Sequence, residues 1–407
     1  MAVLVINQYF YPDISATSQI ITELCVQLSN HMDVKVLCGK PSYNPVAPLQ
    51  EKLFKFYTFK GCKVIRVWNT SYSRKTFKGR ILNYFTFIFF GCMEALTIKR
   101  VSVALAMTDP PFAGFIAYLM RILRGIPYII NMQDLHPDIE IQTGLLKKNI
   151  LVKGWIGLNN LIFKKAECIV VLGHKIKDYL INVYKLPAEK VIVIPDFSDD
   201  ESVTPHPKMN KFLADKEFNN KFIIVHSGNM GLNQDLPVII ETANILKEQN
   251  ELAFVLIGDG AMQATLVSMV AQYGLKNVYF LPYQLKEDLS YSLSAADVHL
   301  ITLSKGLSSF ILPSKTFGIM AAGRPILACI DTDSDVARMV REAKCGMVIE
   351  PGDSQTMADA IMKMYNEKDT LAELGSNARQ YLELKLKKEF VVEQYRALLC
   401  KYEYKII

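Results

Sequence analysis

Signs of disulfide or metal chemistry are missing from this sequence. Its eight cysteines, at 25, 38, 62, 92, 168, 329, 345 and 400, form no Cys-x-x-Cys pair, and no histidine cluster accompanies them. Scattered in this way they read as buried thiols in a reducing cytosol, not as a disulfide framework or a zinc site. The opening residues, MAVLVINQYFYP, have no basic n-region and no small-residue cleavage site, so they read as a buried first strand rather than a signal peptide. Long apolar runs are absent too. The most apolar stretch, 81 to 98, is interrupted by Asn83 and Glu94 and falls short of a spanning helix. Acidic residues nearly vanish between 51 and 100, where 11 lysines and arginines face only Glu51 and Glu94. The whole chain carries a formal charge of just +6, so this excess is local and suits an anionic surface or substrate. There is no short-period repeat and no low-complexity tract.

Short β-branched runs alternate with helix-like segments along all 407 residues. Such runs, bounded by turns, mark parallel strands buried on both faces. A polar, proline-containing passage after residue 197 breaks the alternation, and a second series then begins at FIIVHSG. The expected fold is α/β, with two Rossmann-like, doubly wound parallel-sheet domains facing an interdomain cleft. Residues 1–199 form the first domain and 200–386 the second. The terminal helical segment, 387–407, is expected to pack back on the first domain.

Five stretches can carry chemistry. HSGNMGLNQDL follows a strand, and Gly228 and Gly231 let the backbone approach a ligand, with Asn229 between them. It lacks the third glycine of a dinucleotide fingerprint and the lysine of a P-loop. LIGDGAMQATL places Gly258, Asp259 and Gly260 in a turn after a strand, suited to a sugar or phosphate and also common in plain turns. In LPSKTFGIMAAGRP, Pro313 ends a strand and Ser314 is placed to cap the next helix. Lys315 and Thr316 follow at that helix start, beside free N–H groups, which makes an anion socket. NMQDLHPDIE crowds Asp134, His136, Asp138 and Glu140 at one strand end, where Asp134 or His136 can act on a ligand. RKTFKGRILNYFTFIFF is basic first and aromatic after, and Arg74, Lys75, Lys78 and Arg80 suit an anionic membrane surface. Nucleic acid, the other anionic partner, has no motif to support it. DTDSD and DFSDD lack the spacing of an EF-hand and read as solvated turns.

In this order, VVLGHKIKDYL…KVIVIPDFSD, LIGDGAMQATL and NVYFLPYQLKEDLSYSLSAADVHLITLSKG resemble the retaining GT-B glycosyltransferases of family four. SGNMGLNQDL, LPSKTFGIMAAGRP, QDLHPD and YFYPDISATSQ look most like the WbuB type, assigned to N-acetyl-L-fucosamine or related amino sugars in bacterial O-antigen and capsule assembly. The resemblance implies a UDP-sugar donor, no metal cofactor and an undecaprenyl-diphosphate-linked acceptor. The enzyme would be cytoplasmic, peripheral on the inner face of the cytoplasmic membrane. Pro282 and Tyr283 would flank the uracil. Gly228, Asn229, Gly231, Gly258, Asp259, Ser314, Lys315 and Thr316 would hold the nucleotide and diphosphate. Ser15, Ala16 and Thr17 would border the acceptor.

The chain departs from the family's pattern where Asn229 and Gln234 replace an arginine and a lysine, and where the paired glutamates fall on Phe310 and Gly318. Lys315 is the compensating charge. A UDP-sugar epimerase of the same architecture and a catalytically silent nucleotide-sugar-binding protein are the alternatives.

Overall fold

The computed structural model describes residues 1–13, 15–42, 52–72, 77–197 and 202–402. The chain divides into two compact units, Met1–Pro195 with Glu389–Ile407, and Asp196–Lys388. The residues next to the expected boundary at 199/200 lie outside the described ones.

The first unit runs β1 (Ala2–Ile6), α1 (Ala16–Ser29), β2 (Asp33–Cys38), β3 (Phe54–Phe59), β4 (Cys62–Val67), α2 (Phe77–Ala95), β5 (Val103–Met107) and α3 (Ala113–Arg124). It continues through β6 (Tyr128–Met132), α4 (Asp138–Gln142), α5 (Ile150–Lys165), β7 (Cys168–Val171), α6 (His174–Asn182) and β8 (Val191–Val193). Its eight-stranded sheet has the order β3-β4-β2-β1-β5-β6-β7-β8. All five residues of β1, β5 and β6 are buried, as central parallel strands covered on both faces require. Val5 pairs with Val36 on one side and Leu105 on the other.

One strand departs from the parallel rule. β3 pairs antiparallel with β4 at the sheet edge. Lys60 and Gly61 turn the hairpin with φ of 42° and 85°, the paired left-handed geometry that matches strand twist in a two-residue loop. The basic segment from 52 to 66 therefore folds mostly as a hairpin. Arg66 is buried in it, donating to the Tyr57 hydroxyl at 2.8 Å, to the Gly39 carbonyl at 2.6 Å and to the Tyr11 carbonyl.

The second unit runs β9 (Phe222–Ser227), α7 (Pro237–Ile245), β10 (Leu252–Ile257), α8 (Gln263–Tyr273), β11 (Val278–Leu281), α9 (Lys286–Ser294) and β12 (Val298–Thr302). After these come α10 (Lys315–Ala321), β13 (Ile326–Cys329), α11 (Asp335–Ala343), β14 (Gly346–Ile349), α12 (Ser354–Asn366) and α13 (Leu371–Lys385). α14 (Lys388–Cys400) then returns the chain to the first unit. The six strands are all parallel, in the order β11-β10-β9-β12-β13-β14. Ile224, Phe254, Leu256 and Leu300 pack with α7 and α12 on one face, and Val225, Val255 and Ile257 cover the other with Leu213.

Strand order reverses between β1 and β5 in the first unit and between β9 and β12 in the second. Loops leaving the carboxyl ends of strands at such switch points are where doubly wound sheets bind ligands. Among the described residues, no helix is long and apolar enough to cross a membrane.

Candidate active site

In the second unit the switch point brings the loop after β9 beside the loop after β12. Gly228 turns the first loop with φ 136°, a conformation that side chains rarely adopt. A short 3-10 turn, Leu232–Gln234, follows, and α7 begins at Pro237. From the second loop, Lys315 reaches back across the switch point. Its Nζ donates to Gln234 Oε1 at 2.9 Å and lies 3.3 Å from His226 Nε2. A Cβ added to Gly228 would lie 3.7 Å from the same nitrogen. The ammonium therefore sits against the turn, with no carboxylate among its hydrogen-bond partners. Desolvation lowers the Lys315 pKa to about 7. Desolvation, the Lys315 charge and His299 hold His226 well below the usual imidazole range, so its neutral ring accepts from the lysine.

The remainder of the socket differs from the expected helix start. Ser314 stands in the αR region and makes no capping hydrogen bond. Thr316 is fully buried, its hydroxyl donating to the Pro313 carbonyl at 2.7 Å. The Thr316 and Phe317 amides are already bonded to the carbonyls of Pro313 and Ser314. The cationic side chain of Lys315, rather than a crown of free amides, defines the socket.

Gly258 and Gly260 serve a purpose the sequence does not reveal. A Cβ on Gly258 would stand 2.0 Å from the Gly228 carbonyl oxygen, and one on Gly260 would stand 2.5 Å from that of Met230. The two loops are laced backbone to backbone, Gly228 N to Ile257 O and Met230 N to Asp259 O, each at 2.9 Å. These glycines permit loop-on-loop packing, and that packing sets the shape offered to a ligand. Asp259 is exposed and caps the Gly260 amide at 2.7 Å. Pro282 and Tyr283 follow β11, both exposed, with a Tyr283 ring carbon 3.5 Å from the Gly258 Cβ position. Asn229 is exposed, its amide nitrogen folded over Gly231, 2.9 Å from where a Cβ there would lie.

At the two positions of the family's paired glutamates, Phe310 is buried and Gly318 lies inside α10, its Cβ position 3.6 Å from Leu293. Two of the three aspartates of DTDSD are engaged rather than solvated, and Asp333 is exposed. Asp331 accepts from Gly306 N at 3.0 Å and Ser308 Oγ at 2.6 Å, and buried Asp335 pairs with Arg338. No group of three or more His, Cys, Asp or Glu able to hold a metal occurs among the described residues.

In the first unit, a small pocket at the carboxyl ends of β5 and β6 is walled by Thr108, Asp134, His136, Asn159 and Phe163. His136 Nδ1 lies 2.6 Å from Glu140 Oε1, one helical turn on. Desolvation acts to lower the His136 pKa, but Glu140, Asp134 and Asp109 together outweigh it and raise the value. The imidazole is thereby biased towards its charged, donor form. Asp134 is exposed at the pocket mouth, yet the surrounding protein desolvates its carboxyl enough to raise its pKa, against the pull of His136. Asp138, from the same cluster, is buried and accepts from Tyr179 and Tyr184 at 2.7 and 2.6 Å. It is a structural anchor.

Ser15 begins α1, its hydroxyl accepting from Ser18 N at 3.3 Å. Ala16 and Thr17 open the helix behind it. Of the basic patch, Lys78 and Arg80 are exposed at the start of α2, and Arg74 and Lys75 lie outside the described residues. The patch is smaller than the charge count suggests, because Arg66 is interior.

Two doubly wound units, the second with a part-buried lysine at its switch point, define an α/β protein of the GT-B class. Comparison makes the class specific. Residues 209–381 match the family model "Glycosyl transferases group 1", and residues 16–196 match "Glycosyl transferase 4-like domain". The two matches fall on different parts of the chain and together support a glycosyltransferase of the group 1, GT4-like kind. It is 27% identical over 306 residues to "Probable glycosyltransferase WbjE" of Pseudomonas aeruginosa, covering 74% of each chain. It is 23% identical over 270 residues to the O-antigen chain mannosyltransferase C of Escherichia coli, covering 64% of this chain and 68% of the relative.

Among solved structures, sucrose-phosphate synthase of Thermosynechococcus elongatus superposes with a TM-score of 0.80 at 15% identity, over 98% of both chains. Anabaena Alr3699/HepE in complex with UDP-glucose gives 0.75 at 16% identity, over 98% of this chain and 100% of that one. The protein is thus a glycosyltransferase of the GT-B fold, related to bacterial O-antigen enzymes.

Proposed function

We propose that the protein moves a sugar, N-acetyl-L-fucosamine or a related amino sugar, from a UDP-sugar to an undecaprenyl-diphosphate-linked saccharide. The product would serve O-antigen or capsular polysaccharide synthesis at the inner face of the cytoplasmic membrane. The reading is supported most by one observation. Lys315 places its ammonium on the first glycine loop, bonded to Gln234, at the position where the family resemblance puts a lysine. The charge missing from that loop is supplied from α10.

In this reading Tyr283 and Pro282 flank the uracil, and Gly228, Asn229 and Lys315 hold the diphosphate. As the bond from the anomeric carbon to the phosphate oxygen breaks, its electron pair stays on the leaving UDP. Lys315, protonated once the anion is bound, stabilises that charge where it develops. The acceptor hydroxyl forms the new bond with retention at the anomeric carbon. Asp134, made more basic by desolvation, receives its proton. His136, its pKa raised by Glu140, donates to the acceptor in its protonated form. Binding and charge stabilisation in this scheme need no metal.

The apolar residues at 310 and 318 favour a second reading, a silent nucleotide-sugar-binding protein. Incubation with UDP-N-acetylfucosamine and a lipid-linked acceptor separates the two. Acceptor-dependent release of UDP, without divalent metal, supports transfer. UDP binding with no turnover across a panel of UDP-sugars and acceptors favours the silent reading, and turnover of the UDP-sugar without acceptor favours an epimerase.

A further inference from the structure

The turn leading into α5 carries the most exposed large apolar side chains of the described residues. Ile150 and Leu151 are 84% and 79% exposed, and Leu145 is exposed close by. Gly144 turns the chain out of α4 with φ 73°, and Asn149 caps α5, its side chain accepting from Val152 N at 3.0 Å. The exposure therefore belongs to an ordered, capped turn. Lys147, Lys148 and Lys153 surround it, all exposed, and none makes an ion pair among the described residues. Between Glu140 and Glu167 the chain has five lysines and no acidic residue. Apolar side chains ringed by unpaired lysines match a bilayer of anionic lipid, where the chains enter the acyl boundary and the ammonium groups meet phosphates. A second protein surface would need to supply an acidic ring around an apolar pocket.

We propose that residues 144–153 form a membrane-docking turn for anionic bilayers, distinct from the start of α2. Its position gives it a purpose, which rests on the proposed transfer to a lipid-linked acceptor. On α5 itself, Asn159 donates to the His136 carbonyl at 2.6 Å. Nine residues of helix separate Ile150 from Asn159, about 14 Å. Arg80, at the start of α2, bears electrostatically on the Glu140 carboxylate. Docking through α5 would present the His136 pocket to headgroups at a fixed depth, so that a lipid-linked saccharide reaches it while its lipid stays in the bilayer.

The test is vesicle flotation of the full chain without nucleotide, using phosphatidylglycerol/phosphatidylethanolamine vesicles and pure phosphatidylcholine vesicles. The wild type is expected to float with the anionic vesicles only. The Ile150→Ser/Leu151→Ser variant should bind at least tenfold more weakly, and Lys147→Ser/Lys148→Ser/Lys153→Ser should lose most of the salt dependence. Far-UV circular dichroism and thermal unfolding should be unchanged in both, which shows that they fold. Unchanged vesicle binding in both variants overturns the proposal. So does loss of binding only in a Lys78→Ser/Arg80→Ser variant, which leaves α2 as the sole contact. A wild-type dimer split by Ile150→Ser/Leu151→Ser with vesicle binding intact assigns the turn to self-association instead. Because no donor is present, failure here leaves the proposed transfer standing, and failure of UDP binding leaves docking standing.

Discussion

The amide oxygen of Gln234 accepts a hydrogen bond from Lys315 across 2.9 Å, although the two residues are 81 apart in the chain. Strand order makes the contact. β9 and β12 are neighbours at the switch point, so the loops leaving them meet. A cation from the start of α10 lands where the first loop lacks one, and the proposed donor site rests on that relationship.

Gly258 tests whether the two glycine loops form one rigid support. Gly258→Ala would force a Cβ into the Gly228 carbonyl at a φ of 142°. It should destabilise the second unit by about 3 kcal/mol, read by urea denaturation. Gly318→Ala is the control. Its Cβ meets Leu293 at 3.6 Å, ordinary contact, inside a helix where alanine is favoured by roughly 0.5–1 kcal/mol. It should leave stability equal or higher.

Asp134 and Asp138 lie four residues apart and should separate cleanly. Asp138→Ala removes the acceptor of two tyrosine hydroxyls, and the cost should be about 3 kcal/mol, seen in thermal unfolding. Asp134→Asn should leave the melting temperature unchanged and lower acceptor-dependent turnover about 100-fold.

The His136–Glu140 pair predicts a pH dependence of stability. His136 has a raised pKa in the folded state. Its stabilisation is therefore fully present below the unfolded value of about 6.5 and is lost as pH rises through the folded value. Glu140→Gln should cost about 1 kcal/mol at pH 6 and much less at pH 9. The His136 imidazole signal in NMR should titrate at lower pH in the variant.

Much of this architecture is legible in the sequence, because strands buried on both faces are written as short, mainly apolar runs. β1, β5, β6, β9 and β10 are of this kind. β3 is not, because an edge strand half open to solvent mixes Lys55 and Thr58 with aromatics, and in sequence it counts only towards the basic excess from 51 to 100. Arg66 counts towards the same excess although β4 buries it.

Site residues are legible in type but not in partnership. That Lys315 should face an anion is an expectation from its neighbours in sequence, and that it bonds Gln234 follows only from strand order. Gly258 and Gly260 read as ligand-facing, whereas the structure demands them for contact with another loop. Ser314 reads as a cap because serine before a helix usually is one. Here its backbone is already helical and its hydroxyl makes no cap.

The central claim is that Lys315 is the anion-binding charge of the donor site, and calorimetric titration with UDP tests it most directly. Free, Lys315 has a pKa of about 7. A bound diphosphate raises it, so affinity is full below pH 7 and declines as pH rises above that value. Titrated without divalent metal at pH 8 in two buffers of different ionisation enthalpy, the wild type should bind UDP with proton uptake. Lys315→Ala should bind at least tenfold more weakly, about 1.4 kcal/mol, with no uptake. Equal affinity and equal proton uptake in the two proteins would contradict the account.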